Sequence, residues 1–354
     1  MALCNSHGWV EEPCYYCKLG FQPFADTSAH LQAIEIRLRA LEQGDKTLEN
    51  LDIRQAIGIV RDYALGDLVM LSASLKALKQ KNPARPLVLV TTPTLFDVLD
   101  GADYLDAILP KHSYANADFY KTYNICGAVE VEGPGKLPVA AYRFMPRPDL
   151  FAEFLGVEGG ATEFPVPVDP EALRKMRIML GGCSHPIIGL SATCQSPVRT
   201  MPPEYVEPLA KLLMQNHKGT VVIFGKTKNW NKYLVNINIP GAINFIDTMS
   251  IKELIALCSL LDVMITPDTG TMHVAGALKV KCLAIMGNNK PKHFSDFYSS
   301  VKVLQPSKEE LPCVPCEDIS HSCLPLPQGS FGAPCMRVMT PERINGAFQE
   351  FYGG

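Results

Sequence analysis

The chain has 354 residues, 47% hydrophobic and 19% charged, with 33 Lys and Arg against 36 Asp and Glu for a formal net charge of -3. That length exceeds what one hydrophobic core serves well, so two domains are expected, and the near-neutral balance excludes a general attraction to nucleic acid or anionic membrane. The opening MALCNSHGWVEEPC has no basic stretch leading into an apolar one, and the uncharged run 178–198 is interrupted by Gly, Ser, His and Pro, so the expectation is a cytoplasmic protein with no signal peptide and no transmembrane segment.

Within residues 1–50, read as a metal-binding ribbon and helix, the stretch from Met1 to about Pro23 is short of aliphatic side chains and carries Cys4, His7, Cys14 and Cys17 as a CxxH followed by CYYC. A segment this short needs support beyond its own core, and four N/S ligands on two knuckles suit a structural zinc. The aromatics Trp9, Tyr15, Tyr16 and Phe21 on this ribbon would stack on a sugar, a base or a protein surface. The alternative is a cap that only stabilises the main body. Leu31, Ile34, Leu38 and Leu41 then recur at helical spacing, so residues 28–43 read as an amphipathic helix that docks on the main body or on a second copy of the chain.

From 51 to 167 the pattern is a βαβ start: a strand at Ile57 to Val60, a loop with Gly66 and Asp67, a helix from Leu68 to Gln80 and a strand from Leu87 to Val90. The loop matches neither GxGxxG nor a Walker motif. Asp67 falls at a strand's carboxyl end, where open α/β sheets bind ligands, although a helix cap explains its position equally well. The Pro- and Gly-rich stretch 131–150 reads as a surface loop, and FPVPVDPEALRK reads as the linker to a second domain at 168–306.

That domain alternates strand and helix again: PIIGLSAT, the loop CQSPVRTMPPEY, a helix, TVVIFG, a helix at Ile251 to Leu260, DVMIT, and KCLAIMG. Between the last two strands stands PDTGTMHVAGAL, with a helix expected from Gly270 to Leu278. The free N–H groups of Thr269, Gly270 and Thr271 would converge at its start, with His273 one turn on, and Arg199 is the candidate cation beside them: an anion site. Residues 307–354 hold Cys313, Cys316, Cys323 and Cys335, spaced for one closed zinc or iron site, and a final helix; Cys126, Cys183, Cys194, Cys258 and Cys282 sit among apolar or small neighbours and read as core.

Four stretches, IVRDYALGDLVMLSASLKALKQKNP, SPVRTMPPEYVEPLAKLL, SIKELIALCSLLDVMITPDTGTMHVAGAL and CVPCEDISHSCLPLPQGSFGAPCMRVMTPERI, resemble in that order glycosyltransferase family 9, the heptosyltransferases. The resemblance implies an α/β chain of GT-B architecture, two Rossmann-like domains facing a cleft, with the C-terminal helix crossing back to the first domain. It implies inverting transfer from a nucleotide sugar, ADP-heptose by family default, with Asp67 as general base. Asp268 would hold sugar hydroxyls, and Thr269, Gly270, Thr271 and His273 would hold the diphosphate without a catalytic divalent metal. The family's usual phosphate lysine is here Arg199, and its usual acidic residue after TVVIFG is replaced by Lys226, Lys228, Asn229 and Trp230. The acceptor stays open among a saccharide, a glycolipid, a protein and a hydroxylated base in DNA, and the other classes are a non-catalytic GT-B binding protein and a nucleotide-sugar epimerase.

Overall fold

The computed structural model describes residues 2–4, 8–10, 51–62, 64–114, 117–126, 145–227, 232–316 and 331–353. His7, Cys14, Cys17, Cys323, Lys228, Asn229, Trp230 and the helix expected over 28–43 lie outside them. Of the first fifty residues, β1 (Ala2–Cys4) and β2 (Gly8–Val10) pair antiparallel.

The first large sheet grows from β3 (Ile57–Val60), followed by α1 (Leu65–Lys81), β4 (Leu87–Thr91), β5 (Ala107–Pro110) and β6 (Lys121–Asn124). Its order is β5-β4-β3-β6, every pair parallel. Every residue of β3 and β4 is buried, which is why these strands read as continuous apolar runs rather than alternating ones. α2 (Arg147–Leu155) and α3 (Pro170–Leu180) follow. α2 begins within the last residues of the loop expected over 131–150, whose residues 131–144 lie outside those described, and α3 stands where a linker was expected. α2 starts with Pro at its first turn and ends on Gly156 in the left-handed region at φ 65°, while α3 is capped by the Asp169 carboxylate on Ala172 N–H at 2.8 Å. α3 buries Ala172, Met176 and Leu180, so its Pro start is a helix signal rather than the end of a linker.

The second sheet comprises β7 (Ile187–Ser191), α4 (Pro203–His217), β8 (Thr220–Gly225), β9 (Ala242–Ile246), α5 (Ile251–Leu260), β10 (Val263–Pro267), α6 (Gly270–Ala277), β11 (Lys281–Ile285), α7 (Pro291–Phe294) and β12 (Val301–Leu304). All its pairs are parallel, in the order β12-β11-β10-β7-β8-β9. α5 carries a full capping box between Ser250 and Glu253.

Each sheet therefore has a point where the chain reverses its direction of growth: between β3 and β6 in the first, between β7 and β10 in the second. Ligands in open parallel sheets meet the chain outside the carboxyl ends at such points. Apolar packing is continuous between the sheets, since Leu68 and Leu71 of α1, Phe151 of α2, Met176 of α3, Leu257 of α5 and Met272 of α6 belong to one buried cluster.

The final helix, α8 (Pro341–Gly353), packs on α4, β11 and β12, with Ile344 and Phe348 in the second sheet's core cluster and the Phe348 ring 4.8 Å from that of His217. Its apolar stripe is thus satisfied on the second sheet, where the resemblance had it cross to the first.

Candidate active site

On the first sheet, β3 runs straight into Arg61, whose residue is 0% exposed. Its guanidinium donates from Nη1 to the Ile125 carbonyl at 2.9 Å and from Nη2 to Asp67 Oδ2 at 2.6 Å, with the Phe151 ring centroid 5.6 Å away. Just before α1, Ala64 holds a strained backbone at φ 68° and ψ 105°. Asp67 occupies the first turn of α1 with its side chain 15% exposed. The neighbouring carboxylate, Asp62, is paired with Lys111 at the end of β5, which leaves Asp67 as the carboxylate of this turn that faces across to the second sheet.

On the second sheet, β10 delivers Asp268, 3% exposed. Arg199 Nη1 donates to its backbone oxygen and to Oδ2, both at 3.1 Å, and Asn289 Nδ2 donates to the same Oδ2. Arg199 comes from the loop after β7 and Asp268 from the end of β10, the two strands that flank the reversal point. Thr269 is the extended N-cap of α6 and makes no side-chain cap, so the first N–H groups of α6 have no intrahelical partner. Thr271 turns inward instead, its hydroxyl 3.1 Å from that of Ser191 and 2.9 Å from that of Thr266.

The two halves touch. A Cβ placed on Gly270 would lie 2.8 Å from Leu65 Cδ2 and 3.3 Å from the Gly66 nitrogen, and one placed on Gly66 would collide with the His273 ring. Only glycine lets the two turns approach this closely. His273 is 4% exposed, its Nδ1 lies 3.2 Å from the Tyr298 hydroxyl, and burial brings its pKa down to about 4, against the pull of Asp268 and Asp67. The ring is therefore neutral at physiological pH and sits at the joint between the turns. Burial also pushes the Tyr298 phenol well above its ordinary value. Arg199 lies within electrostatic reach of Asp67 as well as Asp268.

Asp67, Arg199, Asp268, Thr269, Gly270, Thr271 and His273 thus gather at one place, where the carboxyl ends of the two sheets meet. Four contributors escaped the sequence. Arg61 is a charged residue ending an apolar strand, a signal that was legible and passed over. Asn289, in GNNKP, follows β11 and has no motif of its own. Tyr298 acts on the site through His273, by ring packing and its hydroxyl's contact with Nδ1. Arg147, 7% exposed with its guanidinium 5.3 Å from the Phe294 ring centroid, lay in a stretch read as loop.

The cysteine clusters fare differently. Among the described residues no three His, Cys, Asp or Glu side chains group to hold a metal. Cys313 is exposed, whereas Cys335 is buried with its sulfur against Gly287, in the core cluster that contains Val314 and Met336. Of the expected four-cysteine site, Cys323 lies outside the described residues, while the Cys316 N–H donates to the Asn288 carbonyl at 2.9 Å and the Cys335 sulfur lies against the adjacent Gly287. No helix among the described residues is long and apolar enough to cross a membrane.

Comparison with known proteins places this geometry. A family model described as glycosyltransferase family 9 (heptosyltransferase) matches residues 125–323, more than half of the chain. No curated protein sequence matches significantly. Among solved structures, the ADP-heptose lps heptosyltransferase II of E. coli aligns with a TM-score of 0.64 at 14% identity, covering 84% of this chain and 98% of that one. A family 9 glycosyl transferase from Veillonella parvula gives 0.63 at 15% identity, covering 85% and 98%. The dodecameric iron-containing heptosyltransferase TibC, in complex with ADP-D-beta-D-heptose, gives 0.61 at 14% identity, covering 86% and 77%. These likenesses describe the fold.

Proposed function

The chain belongs to glycosyltransferase family 9 and is a nucleotide-sugar glycosyltransferase, and from that premise we propose that it moves a heptose-like sugar from an ADP-linked donor to an acceptor hydroxyl with inversion, Asp67 being the base. The observation that carries this reading is the direct packing of the Gly66-Asp67 turn on the Gly270 turn, which sets the Asp67 carboxylate, 15% exposed, beside the start of α6.

The proposed step balances as follows. The acceptor hydroxyl gives its proton to Asp67 Oδ1 while its oxygen forms a bond to the anomeric carbon, and the bond from that carbon to the diphosphate oxygen breaks with its electron pair. Negative charge then grows on the diphosphate, where the first N–H groups of α6 and the Arg199 guanidinium receive it. Asp268 holds Arg199 by two contacts, so the cation is oriented before the donor arrives. Thr271 supports this through its backbone, since its hydroxyl is engaged below the site.

The donor assignment rests on the family and on the ADP-heptose bound in the TibC structure. A saccharide acceptor is the reading that goes with it. The test is nucleoside diphosphate release from ADP-heptose beside a panel of UDP-, GDP- and TDP-linked sugars, followed by NMR of the product's anomeric centre. ADP-heptose is expected to be turned over best, with inversion; retention, or no release from any donor, would reject the reading.

A further inference from the structure

We infer that Arg61 is the positioning residue of the base: it fixes one carboxylate oxygen of Asp67 and leaves the other for the acceptor. This rests on the reading of Asp67 given above.

An arginine at 0% exposure is a costly thing to place at the end of a strand. A strand leaving the sheet toward solvent needs no such residue, and an apolar side chain of the same volume would pack with less penalty. What the guanidinium does with its N–H groups explains the expense. Nη1 reaches the Ile125 carbonyl just beyond β6, Nη2 reaches Asp67 Oδ2 on α1, and the guanidinium carbon lies over the Phe151 ring of α2, 5.6 Å from its centroid. One side chain therefore ties together the two strands at the reversal point and the first turn of the helix that carries the base.

The consequence falls on the carboxylate. Arg61 is the partner of Asp67 among the described residues, and it takes Oδ2 alone. Oδ1 takes no hydrogen bond among the described residues, and 15% of the side chain remains exposed. A carboxylate on a turn would otherwise rotate freely about its last torsion, which is a broad two-fold well. With Oδ2 held at 2.6 Å, the oxygen presented to the cleft is always the same one. In the step proposed above, the acceptor's proton moves to Oδ1 and the Arg61 bond to Oδ2 survives it. Proton transfer depends on the base lying within hydrogen-bond reach in a set direction, so a loose carboxylate loses rate without losing donor affinity.

The competing explanation is an ion pair that merely holds the turn together. Four variants separate the two, each in the full chain: Arg61→Lys, Arg61→Met, Asp67→Asn and Arg61→Lys with Asp67→Asn. The readouts are ADP release from ADP-heptose with water as acceptor, KM for ADP-heptose, ADP affinity by calorimetry, and the thermal midpoint. Positioning predicts that Arg61→Met lowers kcat by about tenfold or more and that Arg61→Lys, which keeps the charge but not the fork, falls between it and the native chain, with KM and ADP affinity within about twofold. In the Asp67→Asn background Arg61→Lys should cost nothing further in kcat, because the group it orients is gone. Should Arg61→Met not fold, Arg61→Lys alone decides by the same split. A kcat within twofold of native for a folded Arg61 variant, or an equal loss with and without the Asp67 carboxylate, overturns the inference. If Asp67→Asn itself leaves ADP release unchanged, the assignment of the base has failed first, and the result is distinct from a failure at Arg61.

Discussion

At the scale of single residues, the site is defined by what holds each charged group. Asp67→Asn keeps the shape of the side chain and its contact with Arg61 but removes the proton acceptor, so turnover should fall by about a hundredfold or more with ADP affinity retained, as steady-state kinetics and calorimetry would register. His273 gives a second handle. Its pKa is about 4 in the folded chain through burial, against about 6.5 when unfolded, so the unfolded state binds the extra proton first as pH falls. Stability should be insensitive to this group above about pH 6.5 and decline between there and about pH 4. Thermal midpoints across that window should drop less for His273→Gln than for the native chain; parallel curves would contradict a buried neutral ring. Residue identity at Arg199 and Asp268 was legible because DTGTMH and SPVRT are unusual strings between apolar runs. Arg61 was passed over because a single arginine after a strand looks like a surface residue until its 0% exposure is known. The Thr271 hydroxyl lies against those of Ser191 and Thr266, and the His273 ring lies at the joint beside Tyr298, neighbours that spacing along a helix does not reveal.

At the scale of elements, the joint between α1 and α6 is built on two glycines with different tolerances. A methyl on Gly66 meets the His273 ring, which is pinned by Tyr298, while a methyl on Gly270 meets the end of the Leu65 side chain at 2.8 Å. Gly66→Ala should therefore cost more than Gly270→Ala, about 1–3 kcal/mol as an overpacked contact, and His273→Ala should relieve part of it in the double variant. Chemical denaturation of the four chains measures this, and additive losses would contradict a shared contact. The helix expected around Ile251 to Leu260 lies there, and the Ser250–Glu253 capping box fixes its start. α2 and α3 were missed because prolines at their first turns were taken for loop, although Pro is at home there. The cysteine spacing at 313–335 suggested one ion; no metal-holding group forms among the described residues, which leave out Cys323, and spacing alone does not distinguish ligation from the burial that thiols such as Cys335 favour.

At the scale of the molecule, alternation of strand and helix announced two parallel sheets, and both were found. Strand order was beyond the sequence, yet order is what makes the site. Because β3 and β7 each begin a sheet that then grows in both directions, the loops that follow them lie beside reversal points, and those loops carry Arg61 to Asp67 and Arg199. The side of the molecule on which α8 settles was also misjudged, since an amphipathic stripe does not say which core receives it. The central claim is that the two turns divide the labour, the first supplying the base and the second receiving the leaving group. The measurement that tests it most directly is a paired comparison of ADP affinity and ADP release from ADP-heptose in Asp67→Asn and Arg199→Ala. The account predicts that Asp67→Asn loses turnover alone, whereas Arg199→Ala weakens ADP binding by about tenfold or more, the scale of a lost charge-assisted hydrogen bond, and loses turnover with it. If both substitutions weaken ADP binding equally, or neither changes turnover, the division of labour is contradicted.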